Sequence, residues 1–156
     1  MTLLRLLREN YYDLIEEADD YMHRAHLRNY SKSPEKKNSL RIKVFLDLLT
    51  GCIKTKNMVS LVQYAERTAV ECFETGFDLC EVQRALNGLE KAIWKKIVNC
   101  IPTEEHAATL GLLRTILGVA KDTLAFRYIY CTRQQAPDKT ILSFPFLQNN
   151  INLQTI

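Results

Sequence analysis

Apolar residues recur at steps of three and four along most of the chain, the spacing of helix faces. The first helix is expected over about residues 2 to 29, with Leu4, Leu7, Tyr11, Leu14, Ala18, Tyr21 and Ala25 on one stripe. Its outer side carries Asp13, Glu16, Glu17, Asp19 and Asp20 and turns basic from Arg24. Ser33-Pro34-Glu35 reads as an N-cap, an N1 proline and an acidic first turn, opening a second helix that ends near Lys54. Ile42, Phe45, Leu49 and Cys52 form its inner face, and Val44, Leu46, Leu48 and Ile53 widen it, so contact on more than one side is expected. A third helix runs from about Met58 to Thr75, with Met58, Val62, Ala65, Ala69, Cys72 and Phe73 inward.

The sharpest local signal follows it. Gly76 suits the left-handed position that ends a helix, Asp78 is a good N-cap, Glu81 is spaced for a capping box, and Phe77 with Val82 suits a hydrophobic staple. In the fourth helix Leu79, Val82, Leu86, Leu89, Ile93, Ile97 and Cys100 make a narrow seam, and Gly88 permits a close neighbour. Pro102 closes that helix, and Thr103 is placed to cap a fifth, about 103 to 134, with Glu104 and Glu105 in its first turn. The expected fold is therefore all-α: five main helices in one domain over residues 1–135, an antiparallel bundle or globin-like core. The periodicity is lost after Gln135, leaving residues 136–156 as a C-terminal arm. Ile141, Leu142, Phe144, Phe146 and Leu147 are apolar enough that the arm should dock along the bundle or on a partner, a frayed tail being the alternative.

The fifth helix is apolar on two sides. Leu110, Leu113, Leu117, Ala120, Leu124, Tyr128 and Cys131 form one stripe, and Leu112, Ile116, Val119, Phe126 and Tyr130 form another. Such a helix has to be covered twice, by its own domain or by a second subunit. Gly111 and Gly118, in a heptad-spaced line with Ala125, would let another backbone come close. Leu112, Ile116, Val119, Phe126, Tyr130, Gly111 and Gly118 are thus the expected interface of a symmetric homodimer. Leu3, Leu6 and Ile15 lie off the main stripe of the first helix and compete for that surface, from inside or across the two-fold axis.

Composition narrows the function more than it identifies it. With 156 residues, 47% hydrophobic, 25% charged, and only 5 Gly and 4 Pro, the chain suits a single core without disulfide or metal props. A net charge of +3 with one modest basic cluster, Lys32, Lys36, Lys37, Arg41 and Lys43, gives no nucleic-acid surface. Five cysteines, at 52, 72, 80, 100 and 131, lie mostly on apolar stripes and read as buried free thiols of a reducing compartment. With no signal-peptide pattern and no run near the length of a membrane span, a cytoplasmic location is expected.

No phosphate loop, nucleophile elbow, HExxH or paired catalytic carboxylates occur, so no enzyme is expected and no catalytic residue is assigned. His23 and His26, one turn apart beside Asp19 and Asp20, have the spacing of metal ligands, but the Glu-x-x-His pairs of a di-iron bundle are missing. His106 falls near a helix start and reads as exposed. Neither metal nor cofactor is expected; the competing reading is a carrier or sensor that holds a small molecule, haem-like in one version, in a pocket between helices.

Tyr64-Ala-Glu-Arg-Thr-Ala-Val-Glu-Cys-Phe-Glu-Thr-Gly76, then Leu79-Cys-Glu-Val-Gln-Arg-Ala-Leu86 and a long closing helix that ends in aromatics, resembles the RsbRD-type (RsbT co-antagonist) N-terminal sensory domain of stressosome proteins and bacterial sensor histidine kinases. The resemblance covers roughly residues 38 to 133. It implies a non-enzymatic signal-input or protein-interaction module, often dimeric and similar to non-haem globin-like bundles, usually joined to an output domain. The chain departs from that pattern by ending in a short arm with no kinase, phosphatase or STAS segment.

Overall fold

The computed structural model describes residues 1–25 and 35–135, with only the backbone given for 35–39. These residues are all-helical, in six helices: α1 (Leu3–Glu9), α2 (Tyr11–Arg24), α3 (Glu35–Thr55), α4 (Val59–Thr75), α5 (Leu79–Cys100) and α6 (Thr103–Gln134). Residue 26, the 33–34 cap and the arm over 136–156 lie outside the described residues.

The sixth helix arises because the expected first one is broken at Asn10. The Asn10 side-chain amide and backbone amide both donate to the carbonyl of Leu6, at 3.0 and 3.1 Å, and the residue leaves helical geometry at φ −107°, ψ 19°. The break re-aims the apolar face. Leu3, Leu6 and Leu7 of α1 are buried with Leu14, Ile15, Ala18 and Met22 of α2, while Leu4 is only half-buried. Leu3, Leu6 and Ile15, expected off the main stripe, thus belong to the chain's own core.

The turn between α4 and α5 forms as its residues dictate. Gly76 takes the left-handed conformation at φ 67°, and the Phe77 amide donates back to the Cys72 carbonyl at 2.8 Å, closing α4. Asp78 Oδ1 accepts from the Cys80 amide at 2.8 Å and starts α5. Phe77 packs against the core beside buried Val82. Sharing this turn does not make α4 and α5 a packed pair: they touch little, and both rest on α6. The remaining packing closes a ring in which α3 meets α4, α4 meets α6, α6 meets α5, α5 meets α2 and α2 meets α3, with α1 bridging α3 and α5.

Close approach inside the ring is set at Gly88. A Cβ there would lie 2.4 Å from Tyr21 Cδ1 and 2.9 Å from Cγ, so the ring of Tyr21 on α2 sits directly on the α5 backbone. Ion pairs bridge the same seams: Lys96–Asp13 at 2.9 Å between α5 and α2, Lys121–Glu90 at 2.6 Å between α6 and α5, and Arg41–Glu71 at 2.9 Å between α3 and α4. Each contributes about 0–1 kcal/mol, so burial of Leu, Ile and Ala governs the packing and the charges refine it.

Glycine substitutions separate packing from helix propensity. Ala in place of Gly adds about 1 kcal/mol of helix stability, but at Gly88 overpacking against Tyr21 costs about 1–3 kcal/mol. Gly88→Ala should therefore destabilise the fold by about 1 kcal/mol in urea unfolding, whereas Gly118→Ala, whose added Cβ meets nothing within 4 Å, should stabilise it. Equal effects at both positions would contradict the α2–α5 contact. Asp78→Ala should cost about 1 kcal/mol through loss of the cap.

Candidate functional site

The two faces of α6 have different fates. Leu113, Ile116, Leu117, Ala120 and Leu124 are buried against α4 and α5. On the opposite side Leu112 is 45% exposed, Phe126 66% and Tyr130 53%, and Val119 is half-buried. Gly111 is exposed and Gly118 half-buried, each with open space where a Cβ would go. The expected interface set is therefore split. Ile116, at 3% exposure, belongs to the internal core, because it sits at the edge of the inward face, whereas the other members line the outer side. Ile129, 45% exposed, lies on that outer side and is absent from the expected set. Its spacing from Phe126 and Arg133 carried the signal.

The start of α6 is built differently from expectation. Thr103 is the first helical residue and makes no cap; Pro102 precedes the helix, and the Glu105 amide donates to the Pro102 carbonyl at 2.9 Å. His106 is half-buried, not exposed, with Nε2 2.8 Å from the carbonyl of Ile101, so its ring ties the first turn of α6 to the end of α5. His23 stays exposed, its Nδ1 lying 2.9 Å from the Asp19 carbonyl one turn earlier. Among the described residues no group of His, Cys, Asp and Glu is arranged to hold a metal.

A second feature lies inside the ring of helices, where α3 and α5 face each other with α4 and α6 alongside. It is a cleft of about 40 Å³ whose floor is Ile42, Phe45, Ala65, Val82, Leu86, Leu89 and Leu124. Arg41, Tyr64 and Thr68 add the polar groups. Arg41 is already engaged: its Nη2 reaches Glu71 Oε1 at 2.9 Å, and its guanidinium carbon lies 5.2 Å from the centre of the Phe77 ring. Burial raises the Tyr64 hydroxyl above the ordinary phenol range, opposed by its hydrogen bond with Thr68 and by the charge of Arg41. Ligand pockets commonly hold roughly 300–1,000 Å³, so this cleft suits a few atoms, not a haem, and no histidine lines it.

The cysteines divide as well. Cys52 and Cys72 are buried, Cys131 is half-buried, and Cys80 and Cys100 are exposed, which corrects the expectation that most are buried. Cys100 is the last residue of α5 and is exposed, although Ile97 and Ile101 to either side are buried. Desolvation pushes the Cys72 thiol up to about 11, helped by Glu71 and opposed by Arg41, and desolvation also raises Cys52. Desolvation, then a hydrogen bond to Asp47, raises the Tyr11 hydroxyl to about 12.

At pH 8, iodoacetamide should label Cys80 and Cys100 in the folded protein while sparing Cys52 and Cys72, as read by peptide mass mapping; rapid labelling of Cys72 would contradict its burial. Cys72 and Tyr11 hold their protons to higher pH when folded than when unfolded. Their stabilisation is therefore complete below about pH 9 and is lost as pH rises through about 11 to 12. Urea midpoints should fall over that window. Comparisons of the chain with protein-family models, curated proteins and solved structures each found no match.

Proposed function

We propose that this chain is a non-enzymatic regulatory module of bacterial signalling that works through protein–protein contact, with the outer face of α6 as its homodimer interface. The observation that carries the reading is the exposure of Leu112, Phe126, Ile129 and Tyr130 on one side of a helix whose other side is fully used by the core. Side chains of this size clustered on one exposed face are characteristic of association surfaces, where aromatic residues are enriched. The resemblance of Tyr64–Leu86 to RsbRD-type sensory domains supports a signal-input role, with a downstream signalling protein as the further partner. No helix among the described residues is long and apolar enough to cross a membrane. We take the module to be cytoplasmic and to use neither membrane nor nucleic acid.

The cleft favours one second reading, a sensor that admits a small apolar molecule beside Arg41, Tyr64 and Thr68. Native mass spectrometry distinguishes the two: a retained small molecule favours the sensor, and an unliganded dimer favours the interaction module.

Leu112→Asp with Phe126→Asp should yield a soluble, fully helical monomer by sedimentation and circular dichroism, where the wild-type chain sediments as a dimer at micromolar concentration. Ile116→Asp should instead unfold the domain, because that side chain lies in the core. A wild-type chain that is monomeric at these concentrations would overturn the dimer.

A further inference from the structure

The outer face of α6 has a stricter spacing than its large residues alone reveal. Ala108, Leu112, Thr115, Val119, Asp122, Phe126, Ile129 and Arg133 alternate steps of four and three without interruption, the heptad spacing of a coiled-coil seam. All but Val119, which is half-buried, are exposed. Gly111, Gly118 and Ala125 run along one flank at intervals of seven. Neither of these glycines serves the chain's own packing among the described residues, since a Cβ on Gly111 or Gly118 meets nothing within 4 Å, in contrast to Gly88.

Charge decides the direction in which a second copy can lie on this seam. The N-terminal end of the face carries Glu104 and Glu105 and its C-terminal end Arg133, all exposed, and Asp122 lies within the seam. A parallel pair would set Asp122 against Asp122 and Arg133 against Arg133, and would bring the acidic ends together. An antiparallel pair sets Asp122 against Val119, within one turn of the other Asp122, but it separates the two Arg133 and the two acidic ends and brings Arg133 of one copy toward Glu104 and Glu105 of the other. The opposed helix dipoles favour the same arrangement. In the register that keeps the seam layers together, Leu112 faces Ile129 of the other copy and Phe126 faces Thr115. The small-residue flank then lies against itself, Gly118 near Ala125, where two backbones can approach closely.

We infer that two copies of this chain pair through α6 in antiparallel orientation, as a two-stranded seam centred between Val119 and Asp122. The inference rests on the proposed interface and adds its orientation and register. It assigns the two interior glycines a role in close helix approach.

The test is disulfide trapping in the full chain with Cys80, Cys100 and Cys131 changed to Ser. Residues 112 and 129 are 17 positions apart, about 25 Å along one helix, so no disulfide can join them within a chain. Leu112→Cys with Ile129→Cys in the same chain should oxidise to a covalent dimer, and an equimolar mixture of the two single variants should do the same. Either single variant alone should cross-link at less than a tenth of that yield. Self-cross-linking of Leu112→Cys would overturn the antiparallel orientation. A chain that sediments as a dimer but traps in none of these combinations would overturn the seam while leaving dimerisation intact, and a monomer throughout would overturn both. Gly118→Leu supplies a second reading. It should leave the fold at least as stable as before, since its site is open, yet weaken the dimer at least tenfold; an unchanged dimer would exclude close approach at this flank.

Discussion

The constraint on which this fold depends is that α4 and α5, joined by the turn at Gly76, do not pack on each other and are both seated on α6. Leu113, Leu117, Ala120 and Leu124 supply that shared seat, each at 2% exposure or less. Burying one such leucine stabilises by about 1.5–3 kcal/mol, while the ion pair of Lys121 with Glu90 on the same helix contributes at most about 1 kcal/mol. The last helix is therefore the keystone of the ring. The gap left where α3 and α5 face each other without extensive packing becomes the small cleft.

Most of this architecture was legible because it is governed by local chemistry. Gly76 and Asp78 specify a turn through backbone geometry and a single side-chain acceptor, neither of which needs a distant partner. Gly88 was readable as a point of close approach, although its partner, Tyr21, is 67 positions away and was visible only in three dimensions. The break at Asn10 was hidden for a related reason. Asparagine is tolerated in a helix, and spacing does not show that here its side-chain amide joins its backbone amide on the Leu6 carbonyl as α1 ends. Once α1 ends, the face of the first turns rotates, and Leu3 and Leu6 move inward against the single stripe that a continuous helix would show.

The candidate site was half legible. Two apolar stripes on α6 were evident, but stripe membership near a boundary cannot be read from spacing: Ile116 lies at the edge of both and is drawn into the core. Ile129 falls outside the expected stripe because that stripe steps by four from Phe126 to Tyr130, whereas Ile129 lies on the step of three. The heptad rhythm becomes clear only when Ala108, Thr115, Asp122 and Arg133 are kept in the pattern. Position near a helix start suggests exposure for His106, but spacing does not show that its ring reaches back to the preceding carbonyl of Ile101 and becomes half-buried.

Magnitudes set what kind of association the α6 face can support. Leu112, Phe126, Ile129 and Tyr130 are each already about half covered by their own helix, so burying the remainder stabilises by about 1 kcal/mol per side chain, or about 8 kcal/mol over two copies. Association costs about 4–15 kcal/mol in lost freedom before any contact is counted. Apolar burial alone thus leaves at best about 4 kcal/mol, the strength of a millimolar dimer, whereas a micromolar one needs about 8 kcal/mol net. In the proposed dimer, close backbone approach at Gly118 and the opposition of arginine and glutamate ends have to supply the difference. An interface balanced in this way is reversible, and its strength responds to changes of one residue or one charge, a property suited to regulation and poorly suited to a permanent scaffold.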